Sequence, residues 1–287
     1  MMAHERQDLA TPNGRPIAAT FFLPRGVGKG AVLLVPAMGI TQDYYRAIAS
    51  WLAGHGYLAA TFDFFGTGAS LRGKLRDVDV NILDWARFDC VAMVEELCVR
   101  LPGKPIFWIG HSLGAQILPF VPNRRKIARL IAVASGSGYW RENAPGLRWR
   151  AKMLWFLVVP AVLPLFGYFP GRRLRMVGDL PAGVMRQWRR WCLHPQYAFG
   201  VEGPGAREQY AAVETPITSL SFTDDEFMSA RNTESLLSFY ANAPKNDQRI
   251  APEQVGATRV GHFGFFRERF RDSLWQQYLL PELGPSC

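Results

Sequence analysis

Apolar and polar positions along the chain fall into a repeating rhythm of short apolar runs and longer amphipathic stretches. Ala31 to Val35 is apolar throughout and is bounded by Gly30 and Pro36. Five residues are too few for a helix, so the run predicts a strand buried on both faces. Ile17 to Leu23 predicts an earlier strand, and the turn sequence Pro12-Asn13-Gly14-Arg15 before it predicts a hairpin. Tyr44, Ile48, Trp51 and Leu52 lie at helical spacing within Asp43 to His55, and the strand Tyr57 to Phe62 follows.

The rhythm continues after a polar loop, Asp63 to Asp79. A helix is expected over Ile82 to Arg100, stopped by Pro102-Gly103, then a strand at Ile106 to Ile109, a helix from about Leu113, and a strand at Leu130 to Ala134. Such alternation implies right-handed crossovers and helices on both faces of a mostly parallel sheet. It breaks at Gly136 and resumes at Pro216 with the strand Ile217 to Phe222. A helix near Asn232 to Tyr240, a strand near Arg249 to Ala251, a loop holding His262 and a last helix from about Arg267 to Leu280 complete the pattern. We therefore expect an α/β core formed by residues 1–138 and 211–287, with residues 139–210 inserted as a mainly helical cap.

Composition adds bounds. With 287 residues, 48% of them hydrophobic, the chain can bury a large core, and its 20 prolines and 27 glycines are dispersed without a repeat. Charges near the N-terminus, from His4 to Asp8, stand where a signal peptide needs an apolar segment, so a cytoplasmic location is expected. Cys90, Cys98, Cys192 and Cys287 form no C-x-x-C pair and are expected as free thiols. No His and Cys set has metal-ligand spacing, so neither metal nor cofactor is expected.

Most of the net charge of +9 is local: ten basic residues face two acidic ones between Tyr139 and Gly200, a surplus of 8. They mix with the most apolar run of the chain, Met153 to Phe166, and no recognition motif accompanies them, which argues against nucleic acid. Pro160 and Pro164 interrupt that run, which is short of a bilayer span. Packing on the core is its favoured role. An acyl pocket lined by Trp155 and Phe156 is a sharper expectation, and contact with an anionic membrane surface, helped by Arg148, Arg150, Arg172 and Arg173, is the less favoured one. A surplus of cations beside an apolar run suits a substrate with an apolar acyl part and an anionic part.

The candidate chemistry centres on Gly110-His111-Ser112-Leu113-Gly114, a G-x-S-x-G sequence between a predicted strand and a predicted helix. A turn that tight needs small residues beside the serine, and it presents the hydroxyl above the sheet. A serine hydroxyl is a weak nucleophile until a base takes its proton. Of five histidines only His262 lies late in the chain and outside the insertion. For the carboxylate that orients it, Asp224 and Asp225 both follow the strand Ile217 to Phe222, and the spacing into Phe227-Met228-Ser229 favours Asp225. Gly26-Val27-Gly28-Lys29-Gly30 lacks phosphate-loop spacing and precedes a strand, so it reads as a turn.

With these residues the chain resembles the α/β-hydrolase superfamily, in particular its capped bacterial serine hydrolases. The resemblance rests on Val35-Pro36-Ala37-Met38-Gly39, Asp63-Phe64-Phe65-Gly66-Thr67-Gly68-Ala69-Ser70, the turn at Ser112, Asp225, and Gly261-His262-Phe263-Gly264. It implies an α/β-hydrolase fold with a helical cap and an oxyanion hole from the backbone N–H groups of Leu113 and Met38, with Ala37 as the alternative to Met38. Many relatives carry His-Gly at Pro36-Ala37 and an arginine at Phe65; phenylalanine in place of that arginine removes a charged strut from the loop. The implied activity is cleavage of a small-molecule carboxylic ester or thioester. An acyltransferase sharing the acyl-enzyme and a non-catalytic binding protein are the alternatives, and the oligomeric state stays open.

Overall fold

A computed structural model describes residues 3–284; Cys287 lies outside them. Eight strands form one sheet, in the spatial order β1-β2-β4-β3-β5-β6-β9-β10. The hairpin of β1 (His4–Ala10) and β2 (Pro16–Phe22) is antiparallel, and β2 meets β4 (Tyr57–Phe62) antiparallel. From β4 onward every pairing is parallel: β3 (Gly30–Val35), β5 (Ile106–His111), β6 (Ile127–Val133), β9 (Ile217–Phe222) and β10 (Lys245–Ile250).

The all-apolar runs form the centre of the sheet because both their faces are covered. Along β3, Ala31, Leu33 and Val35 enter the core layer on one side, and Val32 and Leu34 the layer on the other. Along β5, Ile106 and Trp108 face the first layer, and Phe107 and Ile109 the second. Such residues have no solvent side to carry polar groups, which is why alternation is absent from their sequence. β10 is different. Its sequence, Lys-Asn-Asp-Gln-Arg-Ile, is polar, and its first three residues are exposed at the sheet edge. Edge strands carry charges that discourage further pairing, so only its apolar end was legible.

Helices cover both layers. Asn81 caps the continuous helix from Ile82 to Arg100, its side chain accepting from the Asp84 N–H while the Asp84 carboxylate accepts from the Asn81 N–H. Ser229 and Asn232 cap Ala230–Ser238 in the same reciprocal way. The helix after Ser112 is shorter than expected: it spans Leu113–Gln116, and a tight turn through Pro119 replaces its continuation.

Between β6 and β9 the chain builds the helix Pro145–Phe166, a two-stranded ribbon of β7 (Tyr168–Phe169) and β8 (Leu180–Pro181), and the helices Ala182–Leu193, Tyr197–Val201 and Pro204–Ala211. The ribbon had no alternating signature because each strand has two residues. The insertion shares the core of the sheet domain: Trp155, Val159, Trp191 and Tyr197 belong to the same buried layer as Trp108. Pro160 and Pro164 do not break the long helix; a π-helical stretch, Leu154–Val158, directly precedes Val159 and Pro160 and interrupts the regular α-helical ladder there, and Gly167 ends the helix in the left-handed conformation.

Candidate active site

β5 ends in a sharp turn. Ser112 has φ 50° and ψ −112°, a conformation rarely adopted by residues with a side chain, so its backbone is strained. The turn persists because its surroundings over-determine it. The Ser112 N–H donates to Val133 O at 3.0 Å, and Ser112 O accepts from the Ser135 hydroxyl at 2.9 Å. A Cβ at Gly110 would overlap the backbone of Ala115, and one at Gly114 would overlap the Val35 carbonyl. The two motif glycines are therefore steric requirements. Trp108, fully buried, donates its indole N–H to Gly114 O at 2.8 Å and fastens the strand to the turn.

At the end of β9, three consecutive acidic residues hold the segment that carries His262. Asp225 accepts from His262 Nδ1 at 2.9 Å through Oδ2, and its Oδ1 accepts from the N–H groups of Phe227 and Met228 at 2.8 and 2.9 Å. Asp224 does not reach the imidazole. It accepts from the N–H groups of Val260 and Gly261 at 2.9 and 3.0 Å, and Glu226 accepts from the His262 N–H at 3.0 Å. Asp225 and His262 are both buried. The Nδ1–H to carboxylate bond leaves Nε2 as the unprotonated nitrogen of the neutral ring, without a partner among the described residues. Gly261 sits at φ 63°, and a Cβ there would come within 2.7 Å of Glu226 Oε2.

His111 brings this segment to the serine turn. Its Nε2 donates to His262 O at 3.1 Å, its Nδ1 accepts from the Tyr45 hydroxyl at 2.9 Å, and its ring centroid is 5.2 Å from that of His262. Burial, and then the neighbouring His262, push the His111 pKa well below the ordinary imidazole range, so it is a neutral strut. The Tyr45 hydroxyl in turn accepts from the Ala37 N–H at 2.9 Å. Ala37 is thus occupied, whereas the N–H groups of Met38 and Leu113 donate to no atom among the described residues. Ser112 Oγ likewise has no partner there.

The sequence pointed to Ser112, Asp225 and His262, and not to Tyr45, Glu226 or the strut role of His111. Tyr45 stands among the apolar positions of an amphipathic stretch and has no local signature of a polar task. Phe65 replaces an expected arginine; its N–H donates to buried Asp89 at 2.8 Å, and the Arg15 guanidinium lies 5.2 Å over its ring. Trp155 is buried and stacks edge-on against Trp188 at 5.1 Å, while Phe156 is 54% exposed. Phe156 therefore faces outward, contrary to the expectation that it lines an acyl pocket, because adjacent helix positions point about 100° apart. A surface cleft of about 660 Å³ lined by Arg6, Asp8, Gln42, Asp63 and Arg172 contains none of the residues around Ser112.

Among known proteins, residues 27–166 match the family described as serine aminopeptidase, S33. No curated protein matches the chain by sequence. A soluble variant of monoglyceride lipase from Saccharomyces cerevisiae, in complex with a substrate analogue, has a similar structure, with a TM-score of 0.68 at 16% identity over 100% of this chain and 97% of that one. A carboxyl esterase from Bacillus coagulans, in complex with glycerol, gives 0.62 at 14% identity over 97% of each chain. The thioesterase domain from the curacin biosynthetic pathway gives 0.52 at 16% identity, covering 87% of this chain and 94% of that domain.

Proposed function

We propose that the chain, whose residues 27–166 match a serine hydrolase family and whose fold is shared with esterases and lipases, is a serine hydrolase that cleaves a small-molecule carboxylic ester or thioester through an acyl-enzyme on Ser112. The observation that carries this is the Asp225–His262 pair, tied through His111 to the strained turn of Ser112. His262 Nε2 takes the proton of Ser112 Oγ as that oxygen attacks the substrate carbonyl carbon. The carbonyl oxygen gains the negative charge, and the N–H groups of Met38 and Leu113 stabilise it. Asp225 keeps the imidazole in the productive tautomer and balances its charge once protonated. Collapse of the tetrahedral intermediate breaks the bond to the leaving alcohol or thiol, which takes the proton from His262. Water then attacks the acyl-enzyme by the same route, releasing the acid and restoring Ser112.

A fluorophosphonate probe together with a graded series of p-nitrophenyl esters and acyl thioesters tests this reading. Labelling and turnover by the wild type, both lost in Ser112→Ala, are expected. Folded wild-type protein that neither labels nor turns over any member of the series would defeat it.

A further inference from the structure

The two faces of the helix Pro145–Phe166 have opposite surroundings. Ala151, Trp155, Val159 and Leu163, four residues apart, are buried in the main core. On the other side Trp149 is 66% exposed, Phe156 54%, Leu157 57% and Leu165 76%. Met153, Pro160, Ala161 and Pro164 are exposed with them, and Leu174 and Met176 in the following loop extend the surface. Single exposed apolar residues are ordinary, but a continuous strip along a helix about 33 Å long needs a partner.

Cations bracket this strip. Arg148, Arg150 and Lys152 stand at one end and Arg172, Arg173 and Arg175 at the other, all six exposed and none in an ion pair among the described residues. The Lys152 ammonium lies 5.6 Å over the ring of Trp149, and the Arg173 guanidinium 5.8 Å over that of Phe166, so the charges frame the apolar strip without interrupting it. The helix is long and apolar enough to cross a bilayer. Crossing would tear Trp155, Val159 and Leu163 out of the core, which the interfacial orientation avoids. Pairing of this face with a second copy would set like-charged ends against each other.

We propose that this face docks on an anionic lipid bilayer, with the helix lying along the surface, Leu157 and Leu165 in the acyl boundary and the six cations among the headgroups. The docking face adjoins the serine site: Gly178, in the loop that carries Arg172, Arg173 and Arg175, is in close backbone contact with Gly39, the residue after Met38. A lipid surface would thereby present apolar acyl substrates next to the region that holds Ser112.

The test is flotation of the full chain with phosphatidylglycerol-containing vesicles and with phosphatidylcholine vesicles, and it requires no turnover. The wild type is expected to bind the anionic vesicles more tightly, with affinity falling as salt rises. Leu157→Glu with Leu165→Glu should weaken binding to both vesicle types by at least about tenfold. Arg172→Gln with Arg173→Gln and Arg175→Gln should remove most of the anionic preference, about a hundredfold at low salt. Circular dichroism checks that each variant is folded. Failure of the wild type to bind anionic vesicles, binding unchanged in both folded variants, or a dimer that the glutamate variant dissociates would each overturn the proposal.

Discussion

His111 Nε2 donates to the backbone carbonyl of His262 at 3.1 Å, so the residue before Ser112 is bonded directly to the proposed base. The Tyr45 hydroxyl completes the link, donating to His111 Nδ1 and accepting from the Ala37 N–H. Tyr45→Phe removes both contacts inside the core and leaves two buried polar groups without partners. It should cost about 1–3 kcal/mol of stability and lower kcat more than it raises KM, because it loosens loops and removes no substrate contact. Thermal unfolding and steady-state kinetics check this, and unchanged kcat would show that the link is structural alone.

The strain at Ser112 predicts a trade between stability and function. Ser112→Gly relieves a side chain held at φ 50° and should stabilise the fold by about 1–2 kcal/mol, offset in part by the greater freedom of glycine in the unfolded chain. It should abolish turnover. Denaturant unfolding of the two proteins provides the comparison; a destabilised Ser112→Gly variant would mean that the serine side chain contributes more than the strain removes.

The three acidic residues after β9 separate by what they hold. Asp225→Asn should lower kcat by about four orders of magnitude, as expected when the wrong tautomer of the base is favoured. Asp224→Asn loses contacts to the backbone of Val260 and Gly261, and Glu226→Gln a contact to the His262 N–H together with a half-exposed ion pair to Arg259, so each should cost less than about a hundredfold and about 1–2 kcal/mol of stability. Equal losses of kcat in Asp224→Asn and Asp225→Asn would refute this division of roles.

Asp89 predicts a pH dependence of stability. Burial raises its carboxyl from the ordinary 3.8 to about 8, against the lowering effects of the Phe65 N–H and Arg15. The folded chain therefore holds a proton there that the unfolded chain releases above about pH 4. The associated stability is complete below that pH and is lost as pH rises through about 8. Asp89→Asn, neutral at every pH, should flatten the melting temperature over this window and give its largest relative stabilisation on the alkaline side. Parallel melting curves for the two proteins from pH 5 to 9 would contradict a proton on Asp89.

What the chain announces by itself is what depends on near neighbours. The apolar runs of β3 and of Ile106 to Ile109 in β5 predicted buried strands because a strand covered on both faces has no solvent side to mark with alternating polar residues. The glycines around Ser112 were legible because a tight turn excludes side chains next to the serine, and chain order singled out His262 from the other histidines.

Tertiary structure decided whatever depends on residues distant in the chain. Asp225 and His262 are separated by 37 positions and Tyr45 and His111 by 66; no local period encodes such meetings, which arise when parallel strands deliver several loops to one end of a sheet. The same holds for the helix Pro145–Phe166. Its apolar sequence was plain, but only packing determined that Trp155 turns into the core while Leu157 and Leu165 remain exposed. The hydrophobic effect favours burial of all three residues, and a helix resting on a core has only one face to bury.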